Sequence, residues 1–153
     1  MDGGLIQGAV DGQGSGNASG ITIMAGRLEL TRGARIDSSS YGVGRGGDLT
    51  VTATDAISIT GWDLMGNPSR LFSNTFSLGD GGRLSLSAPI LTMDGGVIEA
   101  GTGQGSRGNG GSVEVRGGRY LAPTAPGAGS APCRRATASG SGSPTRSSPT
   151  RAS

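Results

Sequence analysis

Apolar and polar residues alternate with a period of two in short segments along the first 121 residues. Four segments share one apolar–polar–apolar pattern after small residues: Ile21–Ile23, Leu49–Val51, Leu84–Leu86 and Val113–Val115. A period of two is typical of a strand with one buried face, and Ile, Val, Leu and Thr dominate these segments. The pattern predicts β-strands, because no ten-residue stretch keeps a helical period and glycine occurs throughout.

The four segments mark an internal repeat. Their first residues are 28, 35 and 29 positions apart, and three of them follow a Gly-Gly pair. Each period holds a second segment, at Leu28–Leu30, Ile57–Ile59 and Leu91–Met93, and a third, at Arg35–Asp37, Leu71–Ser73 and Val97–Glu99, with which Leu5–Gln7 aligns. An insertion near residues 62–69 explains the long period.

Three strands in each period of about 29 residues predict a triangular solenoid, in which equivalent strands of successive coils pair in parallel ~4.8 Å apart. Residues 1–121 are expected to form about three and a half coils of this partial solenoid. The inward Ile, Leu and Val side chains are expected to stack into one core. The chain therefore belongs to the all-β class by this interpretation.

The repeat stops after Leu121. Residues 122–153 consist of Ala, Pro, Gly, Ser, Thr and Arg with one cysteine, and five of the seven prolines lie there. This low-complexity tail is predicted to be disordered, because burial of its few apolar side chains cannot offset the conformational entropy that ordering would cost. It is either a genuine linker or an out-of-frame peptide from a GC-rich gene. We favour the second interpretation, because the repeat is cut in mid-coil at both ends.

Charge and cysteine content exclude several classes of function. Residues 1–121 carry nine arginines and 11 acidic residues, whereas the tail carries four arginines and no acid. The pI of 9.3 therefore reflects the tail and predicts no basic nucleic-acid face. The single cysteine, Cys133, permits neither an internal disulfide nor a cysteine-based metal site. No signal peptide and no apolar run of membrane-spanning length is visible.

Three segments of the sequence resemble those of a known family. Gly20–Leu30, Gly46–Ile59 and Leu71–Phe76 are similar to shaft repeats of filamentous haemagglutinin-like proteins, the exoproteins of bacterial two-partner secretion. The resemblance covers about residues 3–121. It implies a right-handed parallel β-helix, export through an outer-membrane β-barrel transporter, an extracellular or cell-surface location and a role in adhesion. It supplies no catalytic residue, because only the shaft is matched.

Two glycine motifs invite functional readings. Gly103–Gly108 matches G-x-G-x-x-G, but a dinucleotide site needs a helix after the loop, and here a predicted strand follows. Gly46–Asp48 and Leu78–Gly82 are reminiscent of the calcium-binding nonapeptide, which repeats every nine residues rather than every ~29. Turns are the favoured interpretation of both motifs, and we expect no cofactor and no metal.

Carboxylates need attention because parallel β-helices also host polysaccharide-cleaving enzymes. Gln7, Asp37, Ser73 and Glu99 are predicted to occupy equivalent positions, which would place Asp37 and Glu99 two coils, or ~10 Å, apart. Carboxylates of inverting glycosidases lie ~6.5–9.5 Å apart, so the spacing leaves this reading open. The favoured interpretation is an outward polar ladder that keeps one face soluble.

Three further candidates are weaker. Ser38–Ser40 could hold a nucleophile, but no base accompanies it, and Asn17–Ser19 is a formal glycosylation sequon that is better read as a turn. Trp62 and Phe72 could stack on a sugar, since the insertion should expose Trp62. A carbohydrate-binding module and a carbohydrate-active enzyme are therefore the alternatives to the leading prediction.

The leading prediction is a structural shaft segment of a secreted adhesin, without catalytic, cofactor or metal residues. It is predicted to be a truncated fragment, whose partners would be neighbouring coils of a larger parent protein. Exposed coil ends should promote self-association, with poor solubility or marginal stability in isolation. A fragment without a signal peptide could also stay in the cytoplasm.

Overall fold

The computed structural model describes residues 1–103 and 106–121, and the tail predicted to be disordered, at residues 122–153, lies outside them. The described part contains no helix. It contains ten strands: β1 (Leu5–Gln7), β2 (Ile21–Leu30), β3 (Arg35–Asp37), β4 (Leu49–Thr60), β5 (Arg70–Phe72), β6 (Arg83–Ser87), β7 (Ile90–Asp94), β8 (Val97–Glu99), β9 (Ser112–Arg116) and β10 (Arg119–Leu121).

The strands form two curled sheets. The smaller sheet has the order β1-β3-β5-β8, and the larger has the order β10-β7-β4-β6-β9, with β2 on the other edge of β4. All pairings between these strands are parallel. Antiparallel contacts among the described residues are two isolated bridges beside the insertion, Thr60 with Gly95 and Trp62 with Pro68.

Successive periods pair in the register that the repeat indicates for its first two segments. Ile21, Leu49, Leu84 and Val113 form one row of directly paired residues. The second segments form another row, which consists of Leu28, Ile57, Leu91 and Tyr120. The period-two pattern thus placed these strands correctly.

The predicted fold class, a right-handed parallel β-helix with three strands per coil, is wrong. The structure has two sheets, because the first and second segments of a period lie in the same sheet. In β2 and β4 they form one continuous strand of ten and 12 residues, with only a register irregularity between Ala25 and Arg27. Pro89, which has no N–H to donate to a ladder, lies between β6 and β7 in the later period.

The predicted alignment of the third segments is wrong by one residue in one period. Asp37 pairs with Phe72, and Phe72 pairs with Glu99, so Ser73 lies one position beyond the row. The register follows burial, because it places Leu71 between Ile36 and Ile98 at the inward position. The outward polar ladder is therefore interrupted by an aromatic residue, and Asp37 itself is buried.

The core consists of inward aliphatic side chains in stacked layers. It is most complete around β4, whose four inward residues Leu49, Val51, Ile57 and Ile59 are fully buried. Each inward residue lies above its equivalent in the next period, so burial continues from layer to layer. In the outer strands β2 and β9, which have a neighbouring strand on one side alone, Leu30 is fully buried, but the other inward residues are only partly buried: Ile21, Ile23, Leu28, Val113 and Val115.

Gly-Gly corners let adjacent layers approach closely. A Cβ at Gly47 would clash with the carbonyl oxygen of Ser19 and the hydroxyl of Ser38, and a Cβ at Gly82 would meet equivalent atoms one layer on. Those hydroxyls are buried, and each donates to the backbone of the layer behind: Ser38 to Ser19 and Ser73 to Gly47. Glycine is required here by space rather than by an unusual backbone angle.

Candidate functional site

The insertion between β4 and β5 forms a short, well-braced loop. Gly61 and Gly66 adopt positive φ angles of 75° and 82°, which suit glycine and turn the chain outward and back. Below the loop, the buried Ser69 hydroxyl donates to the Thr60 carbonyl at 2.7 Å and accepts the Gly33 N–H at 3.1 Å. The loop therefore leaves the sheet from a fixed base.

Asp63 organises the loop from within. Its Oδ1 accepts the backbone N–H groups of Met65 and Asn67, both at 2.8 Å, and its Oδ2 accepts the Asn67 side-chain amide at 2.8 Å. Hydrogen bonds to the charged form favour that form. The Asn67 side chain and the loop amides accordingly lower the pKa of Asp63 below its ordinary value.

The tip of the loop presents large apolar side chains to solvent. Leu64 and Met65 are 108% and 90% exposed, and Trp62 is 53% exposed. Isolated exposed apolar residues are common on protein surfaces, but a contiguous group is more often functional. Three such residues on a braced loop make this surface a candidate for binding.

A cleft of about 350 Å³ lies beside the loop, between Trp62, Asp63 and Leu64 on one side and Asp2, Gly3 and Arg32 on the other. Arg32 forms a two-pronged ion pair with Asp2, through Nε and a terminal nitrogen. Arg32 has a φ of 50°, which non-glycine residues seldom adopt. The Trp62 ring packs against Gly95, where a Cβ would overlap it.

Phe72, the predicted partner of Trp62 in sugar stacking, does not line this cleft. Phe72 is only 9% exposed, and the guanidinium carbon of Arg70 lies 5.7 Å from the centre of its ring. The expectation that the insertion exposes Trp62 is confirmed. The aromatic pair itself is not brought together as one platform.

Asp37 and Glu99 are not neighbours in the structure. Phe72 lies between them in the strand row. Asp37 is buried and accepts hydrogen bonds from the Ser39 N–H and, at 3.4 Å, from the Tyr41 hydroxyl, whereas Glu99 is exposed. Burial, followed by the nearby Asp37 carboxylate, raises the pKa of Tyr41 above its ordinary value. Asp37 thus holds a turn.

The serine cluster also has a structural environment. Ser38, Ser39 and Ser40 are fully buried, and the hydroxyls of Ser38 and Ser40 donate to backbone carbonyls of Ser19 and Gly42. The Ser39 hydroxyl accepts the Asn74 N–H at 3.0 Å. Ser73 is likewise buried. These hydroxyls satisfy backbone groups, in an adjacent layer for Ser38, Ser39 and Ser73 and within the same layer for Ser40.

The described residues of the glycine motifs lie in loops that precede strands. Gln104 and Gly105, in the middle of the G-x-G-x-x-G match, lie outside the described residues, and the next described element is β9. In the calcium-like motifs, Asp48 Oδ1 accepts the Arg83 N–H and Asp80 Oδ1 accepts the Asn109 N–H. Asn17 of the sequon accepts the Arg45 N–H. All three side chains thus join one layer to the backbone of the next.

No pattern in the sequence indicates that the two sides of the cleft meet. Asp2 and Arg32 are 30 residues apart, and they adjoin the insertion only because Asp2 bridges to Thr31 after β2, and β2 pairs with β4, which leads into the insertion. Tyr41 and Phe76 were missed in the same way. They occupy equivalent positions in successive layers, and their rings stack with centres 4.8 Å apart.

Comparisons with known protein families, curated proteins and solved structures give no match to this chain. Among residues 1–103 and 106–121, no cluster of three or more potential metal-binding side chains is found. The same residues include no helix that is long and apolar enough for a membrane span. Functional inference therefore depends on the geometry described above and on the sequence resemblance.

Proposed function

We propose that residues 1–121 are a structural segment of a secreted or surface-exposed, filamentous haemagglutinin-like adhesin. The observation that carries the proposal is the unbroken stacking of equivalent strands. Rows such as Ile21, Leu49, Leu84 and Val113 pair directly from layer to layer across the larger sheet. Such stacking gives length and stiffness without requiring a reactive site.

The outer strands support a role as part of a longer stack. Leu49 and Val51 in β4 are fully buried, whereas their partners Ile21 and Ile23 in β2 are only partly buried. A further strand paired to β2 would complete this layer in the manner seen inside the molecule. The partners expected by this proposal are neighbouring layers of the same kind, together with the export machinery implied by the resemblance.

Surface labelling of intact cells that produce the protein tests the proposal. Antibodies raised against the folded protein should label unpermeabilised cells or detect the protein in the culture medium, and external protease should remove the signal. A cytoplasmic protein of known location serves as the lysis control. Detection of the chain only after the cells are opened would contradict a secreted or surface-exposed role.

A further inference from the structure

Trp62 and the cleft beside it have no part in strand stacking. The insertion interrupts the repeat, yet Gly61 and Gly66 form its turns and Asp63 accepts hydrogen bonds from its backbone at Met65 and Asn67. It keeps a tryptophan half-exposed next to an arginine–carboxylate pair. We propose that this cleft binds the ring of an uncharged sugar, with Trp62 as the stacking surface and Asp2, Arg32 and Asp63 as its polar contacts.

The polar groups of the cleft retain hydrogen-bonding capacity. Arg32 has five N–H donors, of which its pair with Asp2 engages two nitrogens. Each oxygen of Asp2 keeps a lone pair, and Asp63 Oδ2 accepts only the Asn67 amide. Fixed donors and acceptors together match a hydroxyl group, which both donates and accepts.

The composition of the cleft also selects among ligands. Two carboxylates face one guanidinium, so an acidic sugar would meet net repulsion, whereas an uncharged ring would not. The apolar wall of Trp62 and Leu64 suits the C–H face of a pyranose. A volume of about 350 Å³ lies at the lower end of small-ligand sites, which suits one ring rather than a long chain.

A lipid surface or an apolar groove on another protein would engage the loop differently. Either partner would take up the most exposed side chains, Leu64 and Met65, and would leave Arg32 and Asp2 in water. The walled cleft beside Trp62 favours the sugar. Met65 does not line the cleft, so it distinguishes the two modes of binding.

Trp62 provides the assay, because it is the only tryptophan of the chain. The full-length protein is titrated with methyl glycosides of glucose, galactose, mannose and N-acetylglucosamine, with sorbitol as an acyclic control that has hydroxyls but no ring. At least one glycoside should shift the fluorescence saturably, with a Kd on the order of 1 mM, as expected for so few ligand atoms. Sorbitol should not saturate.

Variants assign the effect to the cleft. Arg32→Gly removes the guanidinium and relieves the positive φ angle, and Asp2→Asn removes the paired charge. Each should weaken binding at least about tenfold, as loss of one charged hydrogen bond of about 1.5 kcal/mol predicts, while Met65→Ser stays within about twofold of the unchanged protein. Trp62→Ala should abolish binding. Saturation-transfer NMR measures binding in this variant, because it lacks the fluorescent residue, and circular dichroism verifies that its sheets remain folded.

Two results would overturn the proposal. The first is the absence of saturation by any glycoside at concentrations about tenfold above the expected Kd. The second is an emission shift with phosphatidylcholine vesicles that Met65→Ser abolishes and Arg32→Gly leaves unchanged. The proposal is independent of the structural role, which surface labelling tests separately.

Discussion

Glycines at the Gly-Gly corners show how single residues set the spacing between layers. A Cβ at Gly82 would meet the Gly47 carbonyl and the buried Ser73 hydroxyl, neither of which can move without breaking a packed layer. Gly26, in strand β2, is a glycine in a less crowded environment than Gly82. The nearest atoms to a Cβ there are the side-chain oxygens of Asp55 and Thr54, at 3.6 and 3.8 Å.

We therefore expect Gly82→Ala to lower the free energy of unfolding by about 1–3 kcal/mol or more, as overpacking does. Gly26→Ala should be neutral or should stabilise by up to about 1 kcal/mol, because alanine loses less backbone entropy in a strand. Chemical denaturation of both variants provides the comparison. Equal midpoints would show that the corner is not packed as described.

The stacked core leads to a second prediction, about the effect of single substitutions on stability. Ile57 is fully buried in β4 and is flanked by strands on both sides, whereas Met24 is 81% exposed on β2. Ile57→Ala should cost about 2–5 kcal/mol because it removes buried methyl groups and leaves a cavity. Met24→Ala should change stability by less than about 0.5 kcal/mol. Thermal or urea unfolding measures both, and similar losses would contradict the assigned faces.

At the level of elements, the insertion loop should respond to acid through Asp63. Its pKa is lowered in the folded protein, so the ionised form contributes stability that is complete above the unfolded-state pKa of about 4. That contribution is lost as the pH falls through the lower folded-state value. Trp62 emission should therefore change in this acidic range, while circular dichroism continues to report intact sheets.

Asp63→Asn provides the control for this transition. The variant keeps an oxygen that can accept the Met65 N–H but removes the titrating charge. Its Trp62 emission should be independent of pH over the same range. If the transition persists in Asp63→Asn, another group controls the loop.

Strand length is also decided at the level of elements. The 12 residues of β4 contain neither glycine nor proline, so the ladder continues through both repeat segments. In the next period Pro89 separates β6 from β7, and Gly117 and Gly118 separate β9 from β10. β2 also stays continuous across the single Gly26, so the breaks between the two segments coincide with a proline or with a pair of glycines.

At the scale of the whole molecule, the outer edge of the sheets should promote association. β1 pairs on one side only, with β3, and its Leu5 and Ile6 are 52% and 38% exposed. Unpaired edge strands with exposed apolar residues are templates for pairing with other chains. We expect concentration-dependent oligomers in analytical ultracentrifugation.

A lysine on the edge should oppose this association. Leu5→Lys places a charge on β1 and should shift the equilibrium towards monomer, as charged edge residues do in natural sheets. Leu78→Lys changes an exposed residue between β5 and β6, outside the edge strand, and is the matched control that should leave the association unchanged. A monodisperse monomer with a sharp cooperative melt in the unchanged protein would contradict the prediction.

The sequence by itself determined the strands and most of their pairing. Alternation shows which residues of a strand face inward, and the repeat spacing aligns Leu28 with Ile57 and Leu91 because equivalent residues stack. The insertion and an exposed Trp62 also followed from the spacing. These features are local or periodic, so they are visible in the order of residues.

Only the tertiary structure decided the number of sheets, the row that contains Phe72 and the composition of the cleft. Whether two segments join into one strand depends on backbone hydrogen bonds to neighbouring layers, and the register of β5 depends on which face Leu71 buries. The meeting of Asp2, Arg32 and Trp62 depends on the stacking of distant segments. No short-range pattern encodes such a contact, because its residues are brought together by packing alone.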